Sequence, residues 1–228
     1  MAQLFAGLFA EGKTDIDFLQ NIVQKTLQDI AFECSGQFDI EVLPIIIDKT
    51  NLDFVSQILM ASKKGVEEYG IQIICVHTDA DSSTSENIYQ SKINPVFIEL
   101  EKQNVIDYCK ILVAIVPIQE TESWMLADKE LLKQEIGTNK SDNELGINRF
   151  PETIADPKEV ISNAIRIARE NVTQRRRHHL TIADLYLPLG QSIDLDKLKD
   201  LSSYQDFKNN IREAFKNSIY STNTNLSL

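Results

Sequence analysis

Acidic side chains follow three short apolar runs of the sequence, at the point where each run ends. These side chains are Glu11, Asp79, Asp81, Glu120 and Glu122. Carboxylate oxygens are the ligands that Mg²⁺ and Mn²⁺ prefer. A metal ion held in this way can polarise a phosphate and generate a hydroxide nucleophile. The spacing therefore points to metal-assisted phosphodiester chemistry, provided that the fold brings the three chain segments together.

The apolar runs alternate with longer amphipathic stretches. Strands are predicted at Leu4–Ala10, Ile40–Ile47, Ile71–Val76 and Ile111–Val116. Helices are predicted at Thr14–Ala31, Leu52–Tyr69, about Ser85–Gln103 with a break or kink at Pro95, and about Thr121–Glu135. This alternation predicts an α/β fold with a Rossmann-like parallel sheet of about four strands and helices on both faces. Ligands of such sheets bind at the carboxyl ends of the strands, where the acidic residues fall.

The segment Gly7–Thr14 also matches the phosphate-binding pattern G-x-x-x-x-G-K-T of a P-loop NTPase. In that interpretation Leu8 and Phe9 would be exposed in a loop and Glu11 would face a polyphosphate. If the strand instead continues through Ala10, the apolar residues are buried and Glu11 lies at the strand end. The second interpretation is favoured, and the P-loop is kept as the lesser alternative.

Asp79 and Asp81 can point to the same side of a turn, and they converge with Glu11 if the first and third strands are neighbours. Asp81 can equally cap the next helix, since Asp is common in ordinary turns. Glu122 has two balanced explanations as well, because an acid in the first turn of a helix is also favoured by the helix dipole. Glu120 is a substitute candidate for Glu122.

Beyond the α/β part the chain changes character. We expect an α/β domain over residues 1–136, a polar loop or linker over 137–157, a helical C-terminal extension packed on the domain over 158–220, and a tail over 221–228. The three cysteines are odd in number and widely spaced, which suggests neither a disulfide framework nor a zinc site. No run is long enough to span a membrane, and a cytoplasmic protein is expected.

The net charge of −11 argues against a broadly basic nucleic-acid surface. Between Lys158 and His179, however, six cationic side chains face only two acidic ones. Arg175, Arg176 and Arg177 within this segment are candidate contacts to a phosphate backbone, and so is Lys13 beside Glu11. Each of these cations could equally be an ordinary solvated or internally paired side chain.

The residues at the strand ends resemble those of the Toprim superfamily, which includes topoisomerases, bacterial primases and OLD-family nucleases. Within it, the chain is most similar to small stand-alone Toprim-like bacterial proteins linked to defence loci. The resemblance rests on the opening Glu11–Asp15, on Thr78–Asp81, on the block Glu122–Asp128 and on an ending from Ala183 to Ile211. The chain departs from topoisomerase-like members at Ser83, where a third acid is common.

The resemblance implies a Mg²⁺- or Mn²⁺-dependent nuclease acting on DNA or RNA, in a setting of defence against phage. Glu11, Asp79, Asp81 and Glu122 would be catalytic, and the same residues with Glu120 would bind the metal. The alternative is an interaction module that binds a partner protein or a second copy and is inactive alone. No membrane partner is expected.

Overall fold

The computed structural model describes residues 2–34, 38–170 and 180–224. Its four strands are β1 Ala2–Phe9, β2 Phe38–Pro44, β3 Ile73–His77 and β4 Leu112–Ile115. They form one sheet in the order β2-β1-β3-β4, and every neighbouring pair is parallel. The predicted α/β fold is confirmed. Because β1 and β3 are neighbours, the segments that follow them meet at one edge of the sheet.

Helices of the first half cover both faces of this sheet. They are α1 Lys13–Cys34, α2 Phe54–Tyr69, α3 Glu86–Ile88, α4 Asn94–Lys102, α5 Glu122–Met125 and α6 Lys129–Ile136. Side chains of β3 alternate between two apolar cores, with Ile73 and Cys75 in one and Ile74 and Val76 in the other. This alternation gives a sheet that is buried on both sides.

The C-terminal half adds short helices and one long helix. They are α7 Asp142–Leu145, α8 Pro157–Ala168, α9 Tyr186–Ser192, α10 Leu195–Leu198 and α11 Ser202–Thr224, with 3₁₀ turns at Pro151–Thr153 and Ile182–Asp184. The stretch 137–157, expected to be a loop, therefore contains α7. Ser141 and Glu144 form a capping box at the start of α7. The polar residues of this stretch therefore cap a helix in addition to connecting helices.

The C-terminal helices share the α1-side core with the sheet. Trp124 in α5 is fully buried there, and its indole N–H donates to Ser203 Oγ at 2.8 Å. Its ring meets that of Tyr204 edge-on, with centroids 5.4 Å apart. At the sheet edge, Asn210 of α11 donates to the carbonyl oxygen of Ala114 in β4. The helical extension thus packs directly on the α/β part.

Pro95 does not break its helix as expected. A π-helical turn at Tyr89–Ile93 connects α3 to α4, and Pro95 lies in the first turn of α4, where its missing N–H costs little. Such π turns are frequent near functional sites. This one carries Lys92. In the part of the chain that the structure describes, no helix combines the length and the apolar character needed to cross a membrane.

Candidate functional site

The first corner of the site is the end of β1. Leu8 and Phe9 are buried strand residues, and Glu11 follows just before α1. Gly7 lies inside β1, where a β-carbon would come within 2.8 Å of Ile71 Cδ1 and 3.0 Å of Ile45 Cγ1. The glycine thus allows close packing between strand and neighbours. A phosphate-binding loop beginning at Gly7 is not present, which removes the structural support for the P-loop alternative.

Glu11 is held by two partners from other segments. Thr78 Oγ1 donates to Glu11 Oε1 at 2.6 Å, and Lys92 Nζ lies 3.3 Å from the same oxygen. Lys92 also donates to Thr78 Oγ1 at 2.8 Å. The side chain of Glu11 stays 46% exposed. It is therefore both anchored and accessible from solvent.

A second lysine approaches from the loop after β2. Lys49 Nζ donates to the carbonyl oxygens of Ala10 and Glu11, at 2.8 and 2.7 Å. It lies 4.6 Å from the centroid of the Phe9 ring. Partial burial lowers the pKa of Lys49, and the charges of Glu11 and Asp15 oppose that shift. Two ammonium groups thus flank the end of β1.

Asp15 is the third member of the acidic group. Its Oδ2 accepts the Gly12 N–H at 2.9 Å, which caps the start of α1. Burial raises the pKa of Asp15, His77 opposes the shift, and the neighbouring charges of Asp79 and Glu11 add to it. The ionisation of Asp15 is therefore coupled to that of Asp79 and Glu11.

Asp79 is fixed at the end of β3 by donors from two directions. Its Oδ1 accepts from the Thr121 N–H at 2.8 Å and from Thr121 Oγ1 at 3.1 Å, and His77 Nε2 lies 3.3 Å away. Burial alone would raise the pKa of Asp79, but the bonds and charge from His77 and Thr121 outweigh it and lower the pKa. Asp79 is therefore held ionised.

His77 is completely buried beneath Asp79. Its Nε2 lies 2.9 Å from Thr121 Oγ1, and its Nδ1 has no hydrogen-bond partner among the residues that the structure describes. Burial by itself lowers the pKa of His77, but the hydrogen bond to Asp79 and the charge of Asp79 raise it overall. Its role in the geometry is to orient Asp79.

Asp81 lies in the turn that follows β3. It has a left-handed backbone, with φ of 49°, and an exposed side chain. Its N–H donates to the carbonyl oxygen of Gln119, which ties the turn after β3 to the turn after β4. Among the described residues, no hydrogen bond or ion pair joins the Asp81 side chain to Glu11 or Asp79. Glu11 and Asp79 follow the adjacent strands β1 and β3 and are each held by partners from other segments, whereas Asp81 has no such partner among the described residues.

Glu120 and Glu122 form a separate acidic pair after β4. Glu122 is only 4% exposed, accepts a hydrogen bond from the Tyr186 hydroxyl and lies 3.7 Å from Lys158 Nζ. Burial raises the pKa of Glu120, and the charges of Glu122 and Asp79 add to the shift. Glu120 Oε2 is buried, and none of the described residues forms a hydrogen bond with it. The pair therefore borders the Asp79 side of the site, and the C-terminal helices hold Glu122.

Of the four cations that the sequence analysis names as candidate phosphate contacts, the structure describes one, Lys13. Lys13 is largely exposed and pairs with Asp17 at 2.6 Å along α1. Arg175, Arg176 and Arg177 lie outside the described residues. Among the described residues, Lys49 and Lys92 are the cations beside Glu11, and sequence reasoning missed both. Thr78 and Asp15 belong to the motifs that carry the Toprim resemblance and Thr121 directly precedes one of them, yet nothing in their spacing marked them as partners of the carboxylates.

Glu11 and Asp79 are carboxylates of the site that could ligate a divalent cation. Within the described ranges, no group of three or more His, Cys, Asp or Glu side chains is gathered to hold a metal. Glu11 and Asp79 nevertheless offer hard oxygen ligands, and their hydrogen bonds engage only Oε1 and Oδ1. Mg²⁺ commonly uses one or two carboxylates, several waters and substrate phosphates. The donor set matches that mode of binding.

Comparison of the chain with known protein families, with curated proteins and with solved structures finds no match.

Proposed function

We propose that this protein is a Mg²⁺- or Mn²⁺-dependent phosphodiesterase of Toprim type that cleaves DNA or RNA. The observation that carries the proposal is the position of Glu11 and Asp79 directly after the adjacent strands β1 and β3, where Thr78 donates to Glu11 and the Thr121 N–H donates to Asp79. The charges of Glu11 and Asp79 also add to the raised pKa of Asp15 in the first turn of α1. A cation would offset this unfavourable interaction between carboxylates, and the strand ends are where such sheets bind ligands.

Glu11 and Asp79 would hold the metal ion, with Glu120 as a further ligand on the Asp79 side. The bound ion would polarise a phosphate oxygen and lower the pKa of a coordinated water. Asp79 enters this arrangement already ionised, because His77 and Thr121 lower its pKa. Glu11, which is exposed and at the mouth of the site, would accept the proton of the attacking water or ligate the ion.

Lys49 and Lys92 would neutralise the phosphodiester. Both ammonium groups lie beside Glu11, within an otherwise acidic protein. A local pair of cations is enough to bind one phosphate. The surrounding negative charge disfavours contact with many consecutive phosphates of a nucleic acid. This favours a substrate with an accessible single phosphodiester, such as a strand end, a loop or a nick. A cytoplasmic location and a role in defence against phage are the biological setting that we propose from the motif resemblance.

The test is cleavage by the purified protein. Supercoiled plasmid, end-labelled single-stranded DNA and single-stranded RNA are each incubated with Mg²⁺ and with Mn²⁺. Asp79→Asn is expected to lower the cleavage rate by at least a hundredfold. Asp39→Asn is the matched control, because the substitution removes the same charge. Asp39 is exposed and lies at the amino end of β2, whereas Asp79 follows the carboxyl end of β3. The control variant is expected to leave the rate unchanged.

Two results would count against the proposal. Equal loss of activity in both variants would show that total charge matters and not the site. Absence of cleavage of all three substrates by folded protein would favour the alternative, a module that binds a partner protein.

A further inference from the structure

Lys92 lies beside Glu11 at the end of β1, a position that the sequence spacing does not predict. The π-helical turn between α3 and α4 projects it back to the end of β1. Its Nζ lies 3.3 Å from Glu11 Oε1 and 2.8 Å from Thr78 Oγ1, and Thr78 donates to the same Glu11 oxygen at 2.6 Å. The ammonium also lies 5.3 Å from the centroid of the Phe54 ring. Lysine, threonine and glutamate thus form a closed triangle.

In this triangle the Lys92 ammonium group is the counter-ion of the Glu11 carboxylate. The Lys92 side chain is only 32% exposed, so water screens its charge incompletely. A divalent cation on Glu11 would come within a few ångströms of the ammonium and be repelled by it. Lys92 and a metal ion therefore compete for one carboxylate.

We propose that Lys92 is the resident counter-ion of Glu11, and that divalent metal and an anionic phosphate bind this site cooperatively by exchange with it. The inference rests on the proposed function, because it requires that Glu11 meets a metal ion. In the metal-free protein Lys92 neutralises Glu11. When the metal takes Glu11, the ammonium is released toward the substrate phosphate. A phosphate that draws Lys92 away raises metal affinity, and by linkage the metal raises phosphate affinity by the same factor.

A site with a built-in lysine counter-ion binds metal weakly until the substrate arrives. The nuclease would then hold its catalytic ion chiefly in the presence of a phosphodiester. The proposed regulation is therefore substrate-gated metal loading.

The experiment measures Mn²⁺ binding by the electron paramagnetic resonance signal of free Mn²⁺, without any measurement of activity. The proteins are wild type, Lys92→Met, Lys92→Arg and Lys102→Met. Methionine keeps an apolar chain over Phe54 and removes the charge. Lys102 is the matched control, since it lies in α4, is exposed and pairs with Glu99 at 2.6 Å. Circular dichroism melts confirm that each variant is folded.

Lys92→Met is expected to bind Mn²⁺ about fivefold more tightly than wild type, the size of one partly exposed ion pair. Lys92→Arg and Lys102→Met are expected to stay within twofold of wild type. A dithymidine phosphorothioate is expected to tighten Mn²⁺ binding by wild type and to have less effect on Lys92→Met.

Equal or weaker Mn²⁺ binding by folded Lys92→Met would overturn the inference and leave the proposed function standing. Absence of Mn²⁺ binding by every protein, with and without the dinucleotide, would overturn the proposed function itself and this inference with it. Binding by Lys92→Met alone would support the inference in its strongest form.

Discussion

Tyr186→Phe tests how the C-terminal helices hold the acidic turn after β4. The Tyr186 hydroxyl donates to Glu122, a residue that is only 4% exposed, and Lys158 Nζ lies 3.7 Å from the same Glu122 oxygen. Phenylalanine has the same ring and leaves no cavity. It removes one hydrogen bond to a buried charge, which is worth roughly 1.5 to 3 kcal/mol. We therefore expect the free energy of unfolding to fall by about 2 kcal/mol.

Tyr204→Phe is the matched control for this variant. Tyr204 is as buried as Tyr186, but its hydroxyl lies 2.9 Å from the neutral Thr26 Oγ1. A neutral hydrogen bond is worth about 1 kcal/mol. Both variants are unfolded in urea, followed by circular dichroism, and the slopes are compared to confirm equal compactness. A loss for Tyr186→Phe no larger than that for Tyr204→Phe would refute a charged, Tyr186-held Glu122.

Two further predictions concern the carboxyl ends of β1 and β3. Gly7→Ala is expected to destabilise the fold by about 1 to 3 kcal/mol in urea, since its β-carbon would meet Ile71 Cδ1 at 2.8 Å; an unchanged midpoint would contradict the packing role. Asp15→Asn is expected to be more stable than wild type at pH 7. The pKa of Asp15 is raised above 3.8 in the folded protein, so its ionisation opposes folding and stability falls as pH rises through that raised value. Melting curves between pH 3 and pH 7 check this, and a gap that narrows as pH rises would contradict it. The ionisation of Asp79 has the opposite effect on stability. Because the pKa of Asp79 is lowered in the folded protein, its ionised form stabilises the fold above pH 3.8, and that contribution is lost on acidification.

The strand ends were predictable because buried parallel strands are continuous apolar runs. Glu11 and Asp79 follow such runs directly, and the neighbouring positions of β1 and β3 then bring them together. Asp81 shows the limit of that reasoning. Two residues beyond Asp79, the chain takes a left-handed turn that directs the Asp81 side chain to solvent, and spacing alone does not specify that turn.

Lys92 and Lys49 were not predictable from local pattern. Lys92 lies in the π turn that precedes Pro95 and reaches the side chain of Glu11 from there. Lys49 reaches the backbone carbonyl of Glu11 from the loop after β2. The predicted helix Thr121–Glu135 is split for a similar reason. Asp128 accepts the Leu131 N–H and starts α6 anew, so a side-chain cap overrides the apolar periodicity. Contacts between segments that are distant in sequence, and single caps, decide these features.

The most direct test of the metal site is a crystal structure of the protein with Mn²⁺ and a dithymidine phosphorothioate, using anomalous scattering to locate the ion. We expect an anomalous peak between Glu11 and Asp79, in contact with a phosphorothioate oxygen, with Lys92 moved off Glu11. A peak only at exposed acids such as Asp81, or no peak at all in crystals that contain the dinucleotide, would contradict it.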